Sequence, residues 1–274
     1  MRETFDKVKK NIQNGSLIKN GSKAIKNRII KKLKHHNAIY LFDKDRVKTK
    51  KYLSTIPKIN SNHSKMGNYY VDNRIKIEAN SIVYSLGILL DISFDLAISN
   101  TYGCSVYMYD PTPSSISFMK MHQNNKKLIF SPFGVWTEEA TLKFYEPKLG
   151  GSSSAICDKN SSDKYFEAKC FKIEQLLIKN QHKHIHLFKA DIEGAALPVI
   201  EQMLEQKIYP DQLVLEFERP KEDSKKVDDF FNRVSIVRKK FKSLNYLEYQ
   251  LPRSTAKYLS LELLFVNKDA MKFN

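Results

Sequence analysis

The segment 82–113 constrains the fold more than any other part of this chain. It begins with the apolar run Ile82 to Leu86, typical of a buried strand, and passes through a glycine turn at Gly87 into a helical pattern. A second strand follows and ends on Asp110, 23 positions after Gly87. In a βαβ unit this spacing lets the carboxylate reach the ribose hydroxyls of a nucleoside that lies across the turn, and the alternative is that Asp110 only begins a turn and caps the helix that follows. The segment therefore predicts an adenosine-containing cofactor.

Strand-like and helix-like segments alternate from residue 81 onward, which favours a parallel sheet with helices on both faces. Strands are predicted at 82–86, 105–109, 127–130, 141–145, 185–189, 212–218, 246–251 and 260–266, and helices at 92–100, 114–122, 195–206 and 230–244. The last two strands have no helical pattern between them, so they should pair antiparallel. The expected fold is α/β and Rossmann-like, mostly parallel with a C-terminal antiparallel hairpin, which is the plan of class I methyltransferases.

The basic residues are concentrated in residues 1–60, which hold 17 lysines and arginines against 4 acids and so carry most of the formal net charge of +16. Within this arm, residues 22–33 have apolar side chains three to four apart among lysines, the pattern of a basic amphipathic helix. The helix could dock on the main domain or lie on an anionic membrane surface. We predict a basic helical arm at 1–60, a linker at 58–67 and an α/β domain at 61–274.

The cysteines, the histidines and the hydropathy indicate which kinds of stabilising site and which cellular compartment to expect. The three cysteines form no CxxC pair, which argues against a disulfide framework and a zinc site and favours a reducing cytoplasm. No apolar run approaches the length of a membrane span. His182, His184 and His186 are spaced two apart, but no acid is placed to complete a metal site, so a solvated loop is the preferred interpretation. We predict a cytoplasmic protein without a metal, with peripheral membrane binding through the arm as an open alternative.

The glycine turn discriminates between adenosine cofactors. Dinucleotide-binding turns need a second glycine so that the backbone can approach a pyrophosphate, and here that position is Leu89. S-adenosyl-L-methionine has a ribose and an adenine but no pyrophosphate. The missing glycine therefore argues against NAD more strongly than against S-adenosylmethionine, which is the expected cofactor. A structural turn without a ligand is the alternative.

Carboxylates and aromatic residues at the ends of later strands are further site candidates. Asp191 and Glu193 follow the fourth strand, where one could accept a proton from a hydroxyl or bind the amino group of the cofactor, or could simply cap the next helix. Glu216 and Glu218 alternate at the end of the fifth strand and so share a face, and one of them could also reach the pocket. Phe133 and Trp136 follow the third strand, where a ring could cover adenine or pack in the core.

These motifs together resemble the FkbM-like methyltransferases, a family of class I S-adenosylmethionine-dependent enzymes. The matching stretches are 83–87, 91–95, 109–113, 131–136, 189–195, 214–216 and 262–266, in family order across about residues 67 to 268. The resemblance implies methyl transfer, commonly to an oxygen and often to sugar hydroxyls, with Gly87 and Asp110 at the cofactor and Asp191 near the reacting centre. The predicted cofactor-binding residues are Ser85, Gly87, Asp110, Pro111, Phe133 and Gly134, and the predicted catalytic residues are Asp191 and Glu193. Leu89 and Ala196 depart from the family pattern, which usually has a small residue and an acid or amide there.

The expected function is therefore O-methylation of a hydroxyl on a sugar, glycan or glycolipid. Two alternatives stay open at this point. A nucleic-acid methyltransferase could use the basic arm as a phosphate-binding tether, although the tetrapeptide typical of base amino-methyltransferases is missing after the fourth strand. A non-catalytic binding module could have kept the fold and lost the cofactor through Leu89. The expected partners are a hydroxyl-bearing acceptor and an anionic membrane surface, and nucleic acid is not expected.

Overall fold

The computed structural model describes residues 45–148, 153–157, 161–220, 224–252 and 260–272. The chain divides into two units, residues 1–48 and 49–274. The predicted amphipathic helix at 22–33 lies outside the described residues, so the basic arm stays a prediction. Residues 49–60 belong to the second unit, because Leu53 and Ile56 are buried in its core and the Gln250 side chain donates hydrogen bonds to both of their carbonyls, at 3.0 and 2.6 Å.

The helices and strands of the described part have the following bounds. The helices are α1 (Arg46–Leu53), α2 (Ser93–Tyr102), α3 (Pro113–Lys120), α4 (Ile173–Lys179), α5 (Ala196–Glu205) and α6 (Ser224–Ser243), with a 3₁₀ turn at Lys268–Ala270. The strands are β1 (His63–Met66), β2 (Tyr69–Asp72), β3 (Val83–Leu86), β4 (Val106–Tyr109), β5 (Leu128–Ser131), β6 (Gly134–Val135), β7 (Ala140–Pro147), β8 (Ser161–Phe171), β9 (Leu187–Ala190), β10 (Gln212–Glu218), β11 (Tyr246–Gln250) and β12 (Ser260–Asn267). Of the helices described, none is both long enough and apolar enough to cross a membrane.

The central sheet has seven strands in the order β11-β12-β10-β9-β3-β4-β5. The neighbours from β10 to β5 pair in parallel, whereas β12 pairs antiparallel with both β10 and β11. Residues 251–259 connect β11 to β12, which is too short for the crossover that a parallel pair requires. The predicted α/β sheet with a terminal antiparallel pair is therefore confirmed.

The hydrophobic core lies on both faces of this sheet. Strand β9 is an example of a strand whose side chains pack alternately on the two faces. Its residues Phe188 and Ala190 pack into one cluster with residues of α4, α5 and α6. Leu187 points to the opposite face and packs with residues of β1, β2 and α2. A strand that is buried on both sides needs a continuous apolar run, which is why these strands are recognisable in the sequence.

The segment predicted as a linker, 58–67, includes the first strand and part of the turn of a β-hairpin. Strands β1 and β2 pair antiparallel from His63↔Asp72 to Met66↔Tyr69. The turn contains Gly67, with φ +55°, and a Cβ there would overlap the backbone at the start of α2. Met66, Tyr69 and Val71 are buried against the central sheet. The segment 58–67 is polar in composition, but the hairpin that begins in it has one apolar face that packs on the central sheet.

A second, three-stranded sheet has the order β6-β8-β7. The sequence predicted only a short edge strand at 141–145, and β8 and α4 were missed. Phe144 of β7 stacks on Phe166 of β8 with ring centroids 5.2 Å apart. Both Gly134 of β6 and Phe144 line the wall of a cavity, so this small sheet forms one side of the site described next.

Candidate active site

A cavity of about 300 Å³ opens at the carboxyl ends of β3 and β9. The chain leaves β3 toward β4 and β5 and later returns to β9 on the other side of β3, so the strand order reverses here. Its described wall carries six carboxylates and one ammonium group. They belong to Asp91, Asp95, Asp110, Asp191, Glu193 and Glu216, and to Lys189. This excess of negative charge suits a ligand with positive charge.

Gly87 lies in this wall because two chain segments approach each other closely. Its φ is +76°, and a Cβ built there would overlap the carbonyl oxygen of Asp191, far inside the 3.0 Å that real Cβ atoms keep. The Gly87 N–H donates to the carbonyl of Tyr109 at 3.0 Å. The glycine therefore joins the ends of β3, β4 and β9, a role that requires no phosphate.

Asp110 is buried at the end of β4 and holds the glycine turn. Its Oδ2 accepts the N–H groups of Ile88 and Leu89, both at 2.9 Å. Its Oδ1 accepts the N–H of Thr112 at 2.8 Å and the hydroxyl of Thr112 at 2.6 Å. Four donors fill the lone-pair positions of a carboxylate. The structure thus gives Asp110 a role in fixing the turn, and its contact with a ribose stays a prediction.

Asp110→Asn should loosen this turn. An amide cannot accept at both positions, so one pair of donors would face an NH₂ group, and we expect the free energy of unfolding to fall by about 2–4 kcal/mol. Hydrogen exchange at the amides of Ile88 and Leu89 should accelerate. Asp163→Asn, at an exposed position on β8, is the matched control. Unchanged exchange at both amides would contradict the assigned role.

Leu89 adopts a backbone conformation in the turn that glycine would favour, although it carries a side chain. Its φ is +47°, in the left-handed region, which costs about 1–2 kcal/mol for a residue with a side chain. Two hydrogen bonds hold it there: its N–H donates to Asp110, and its carbonyl accepts the Ser115 hydroxyl at 2.9 Å. The side chain lines the cavity and is 37 % exposed. The missing second glycine has therefore not removed the turn.

Lys189 is a site residue that the sequence analysis did not select. Although it is only 4 % exposed, Lys189 lines the cavity, and its Nζ donates to the carbonyls of Leu86, at 3.3 Å, and Gly87. Burial raises the pKa of the neighbouring Asp95 carboxyl, and the charge of Lys189 and the Ser85 hydroxyl oppose that shift. The signal in the sequence was a lysine within a strand that is otherwise apolar, since a buried charge needs partners.

The tip of the β1–β2 hairpin reaches the same wall. Tyr69 Oη donates to Asp191 Oδ2 at 2.5 Å, and Asn68 Nδ2 donates to Asp91 Oδ2. Burial raises the pKa of Asp91, but hydrogen bonds from Ser93 and Asn68 outweigh it and bring the pKa below its usual value. No local motif marked Asn68 or Tyr69, because their position depends on the packing of the hairpin.

The remaining predicted cofactor residues divide into two pairs. Pro111 and Gly134 line the cavity. Ser85 is fully buried within β3, and Phe133 packs edge-on against Phe171 at 5.0 Å, beneath the ammonium of Lys179 at 4.2 Å. The structure does not bring Ser85 or Phe133 to the described cavity wall.

A second cavity, of about 570 Å³, adjoins the first, and Glu193 lines both. Glu193 is in the left-handed region, with φ +42°, and its carbonyl accepts the Ser154 hydroxyl at 2.7 Å. Trp136 and Tyr145 line this cavity from the side of the small sheet. Its charged lining residues are balanced in sign: Glu193, Glu218 and Asp229 against Arg219, Lys226 and Arg233.

The histidines at 182, 184 and 186 each contact a different partner. His184 Nε2 lies 2.8 Å from Asp211 Oδ1, His182 Nδ1 shares a hydrogen bond with the Tyr84 hydroxyl, and His186 Nδ1 accepts the backbone N–H of Ile82. Within the part of the chain that the structure describes, no group of histidine, cysteine and acidic side chains could hold a metal.

Comparison with solved structures finds distant similarities. The chain is similar to fibrillarin from Aeropyrum pernix in complex with S-adenosyl-L-methionine, with 10% identity over 69% of this chain and 67% of that chain and a TM-score of 0.38. It is also similar to Methanococcus jannaschii fibrillarin, a pre-rRNA processing protein, with 8% identity, 71% and 70% coverage and a TM-score of 0.41. An rRNA methylase from Streptococcus thermophilus has 11% identity, 70% and 89% coverage and a TM-score of 0.36. At such values these similarities bear on neither substrate nor mechanism.

The family assignment rests on the sequence. No curated protein matches the chain. The Methyltransferase FkbM domain matches residues 77–247, which is more than half of the chain and includes Gly87, Asp110, Asp191 and Glu193. The central sheet that carries these residues has the mostly parallel order with a terminal antiparallel pair predicted for a class I methyltransferase. The chain therefore belongs to the FkbM-domain methyltransferases, the family that its motifs resemble, whose cofactor is S-adenosylmethionine.

Proposed function

We propose that the chain transfers a methyl group from S-adenosylmethionine to a hydroxyl of a sugar, glycan or glycolipid. The observation that carries this proposal is the pair of adjoining cavities with Glu193 in the wall of both. One cavity has the charge that a cationic cofactor needs, and the other has the surface that a neutral polyhydroxylated acceptor needs.

The residues of the first cavity fit the cofactor. S-adenosylmethionine carries a sulfonium and an ammonium group, which suit a wall with six carboxylates and one ammonium group. Pro111, Val135 and Phe144, which also line this cavity, offer an apolar surface for adenine. When bound, the cofactor supplies a methyl group that is already activated by the sulfonium. The chain therefore has to orient the acceptor, exclude water and accept one proton.

The second cavity supports a neutral sugar acceptor. Trp136 and Tyr145 present aromatic rings on which the C–H face of a sugar ring can lie. The charged side chains around it offer donors and acceptors for hydroxyl groups without a net excess of either sign. A nucleic-acid substrate would favour a basic wall, which this cavity lacks among its described residues.

Glu193 is the proposed base for the acceptor hydroxyl. Because it lines both cavities, its carboxylate can take the proton that the hydroxyl oxygen loses as that oxygen is methylated. Asp191 accepts a hydrogen bond from Tyr69 on the hairpin side of the first cavity, so orientation of the cofactor is the role proposed for it.

Glu193→Gln should lower the rate of methyl transfer at least about a hundredfold while leaving cofactor affinity within about twofold. Transfer from radiolabelled S-adenosylmethionine to a panel of methyl glycosides measures the rate. Binding of the glycosides, in the presence of S-adenosylhomocysteine, can be followed by the fluorescence of Trp136, the only tryptophan in the chain.

Glu167→Gln is the control, because Glu167 is exposed on β8 and belongs to neither cavity wall. An unaltered rate in Glu193→Gln would exclude Glu193 as the base. Absence of any fluorescence change with the whole panel would contradict the sugar acceptor. Failure of the wild-type protein to bind S-adenosylhomocysteine would favour the non-catalytic binding module instead.

A further inference from the structure

The β1–β2 hairpin contributes to the cofactor cavity although it precedes the matched family segment. The family domain begins at residue 77, whereas the hairpin ends at Asp72. Asn68 and Tyr69 at its tip nevertheless line the cavity. This part of the site therefore cannot be read from membership of the family.

The hairpin is fixed firmly enough to position what it touches. Gly67 packs so closely on the start of α2 that a side chain there would overlap the backbone of Ser93 and Phe94. The ring of Tyr69 is 6 % exposed and packs edge-on against Phe94, with centroids 5.5 Å apart. Asp72, at the other end of β2, donates its N–H to the Gln212 side chain at 2.9 Å. The two polar side chains at the tip are thus held on a rigid element.

Each of these side chains binds one carboxylate of the cavity. Asn68 donates to Asp91, and Tyr69 donates to Asp191 Oδ2 at 2.5 Å. The Tyr69 hydroxyl occupies Oδ2 of Asp191, and Oδ1 is the oxygen that we expect to receive a hydrogen bond from a ligand. The apolar wall at Val135 and Phe144 belongs to a different part of the lining, contributed by the small sheet.

We propose that Tyr69 is a positioning residue that holds the Asp191 carboxylate for the ammonium group at the amino-acid end of S-adenosylmethionine. The inference rests on the cofactor of the proposed function but not on its acceptor. Asn68 orients Asp91 in the same way at the neighbouring position. The hairpin is thereby a part of the cofactor site that recognises the amino acid and not the nucleoside.

The affinities for two ligands distinguish a positioning role of Tyr69 from a general structural role. S-adenosylhomocysteine has the amino-acid end, whereas 5′-methylthioadenosine lacks it and keeps the nucleoside and the sulfur. By isothermal titration calorimetry, Tyr69→Phe should weaken binding of S-adenosylhomocysteine about tenfold, because the Asp191 carboxylate is no longer held in place before the ligand binds. Binding of 5′-methylthioadenosine should stay within about twofold. Tyr70→Phe is the matched control, because Tyr70 is the next residue on β2 and does not line the cavity.

A double-mutant cycle tests whether Tyr69 acts through Asp191. In the Asp191→Asn background, Tyr69→Phe should change the affinity for S-adenosylhomocysteine by less than about twofold. Equal weakening of both ligands by Tyr69→Phe, or no weakening of either, would overturn the proposal. Full additivity in the cycle would overturn it as well. If the wild-type protein bound neither ligand, the cofactor itself would be refuted, a result distinct from a selective failure of Tyr69→Phe.

Discussion

Gly87→Ala is expected to abolish cofactor binding and to lower the free energy of unfolding by about 4 kcal/mol or more. Two costs add at this position. The φ of +76° is unfavourable for any residue with a Cβ, and the new methyl group would overlap the carbonyl oxygen of Asp191. Because that oxygen belongs to backbone at the end of β9, relief requires the ends of β3 and β9 to separate. Calorimetry with S-adenosylhomocysteine and urea unfolding measure the two losses.

Gly103→Ala distinguishes the cost of a positive φ from the cost of steric overlap. Gly103 follows α2 with φ +70°, close to the value at Gly87, but the nearest atom to a Cβ there is the flexible Lys127 Nζ at 3.5 Å. Only the backbone cost applies, so we expect a loss of about 1–2 kcal/mol and normal cofactor binding. If Gly87→Ala proved no more harmful than Gly103→Ala, the close approach to Asp191 would not be what requires glycine.

Lys189→Met should be the second most damaging change, with a loss of about 3–5 kcal/mol in the free energy of unfolding. The substitution keeps the length of the side chain but removes the hydrogen bonds to the carbonyls of Leu86 and Gly87. It also removes the cation that opposes the effect of burial on Asp95. Urea unfolding measures the loss, and Lys65→Met, at an exposed position on β1, is the control.

The pH dependence identifies the part of this loss that involves Asp95. Burial raises the pKa of the folded Asp95 carboxyl above its ordinary value of 3.8, and without Lys189 the pKa should rise further. A folded carboxyl with a raised pKa binds its proton more tightly than the unfolded chain does, so stability falls as the pH rises toward the folded pKa. The difference between Lys189→Met and wild type should therefore be larger at pH 8 than at pH 5. An equal difference at both values would show that Asp95 is not affected.

The central sheet could be predicted because each of its strands is marked by a local pattern in the sequence. Runs such as 82–86 and 213–215 are largely apolar and are separated by helical patterns, and the structure places strands at or within a few residues of most of them. The Gly87 turn and Asp191 followed from the position of strand ends, since all parallel strands present their carboxyl ends at one edge. Both residues line the cavity.

The hairpin could not be predicted in this way, because its stability depends on contacts with residues that are distant in the sequence. The Asn, Ser and Lys content of 58–67 is typical of a loop, and only the sheet surface that covers Met66, Tyr69 and Val71 makes a hairpin stable there. Position 133 shows the converse case, in which a local motif could not reveal the packing partner. An aromatic residue after the third strand suggested a contact with adenine, but Phe133 packs on Phe171 of β8, a strand that the sequence did not reveal.

The attachment of the hairpin has a consequence for the order in which the nascent chain can become active. The segments that flank it are joined to residues late in the sequence: Lys58 forms a β-bridge with Gln250, Ile75 forms one with Met271, and Arg74 donates to the Tyr249 hydroxyl at 2.9 Å. Residues 58–75 leave the ribosome before β3 and β4, which carry the glycine turn, and residues 249–271 leave it after them. We therefore expect Tyr69 to reach its place beside Asp191 only after residue 271 has emerged, so that ligand binding reports a chain translated at least to that point.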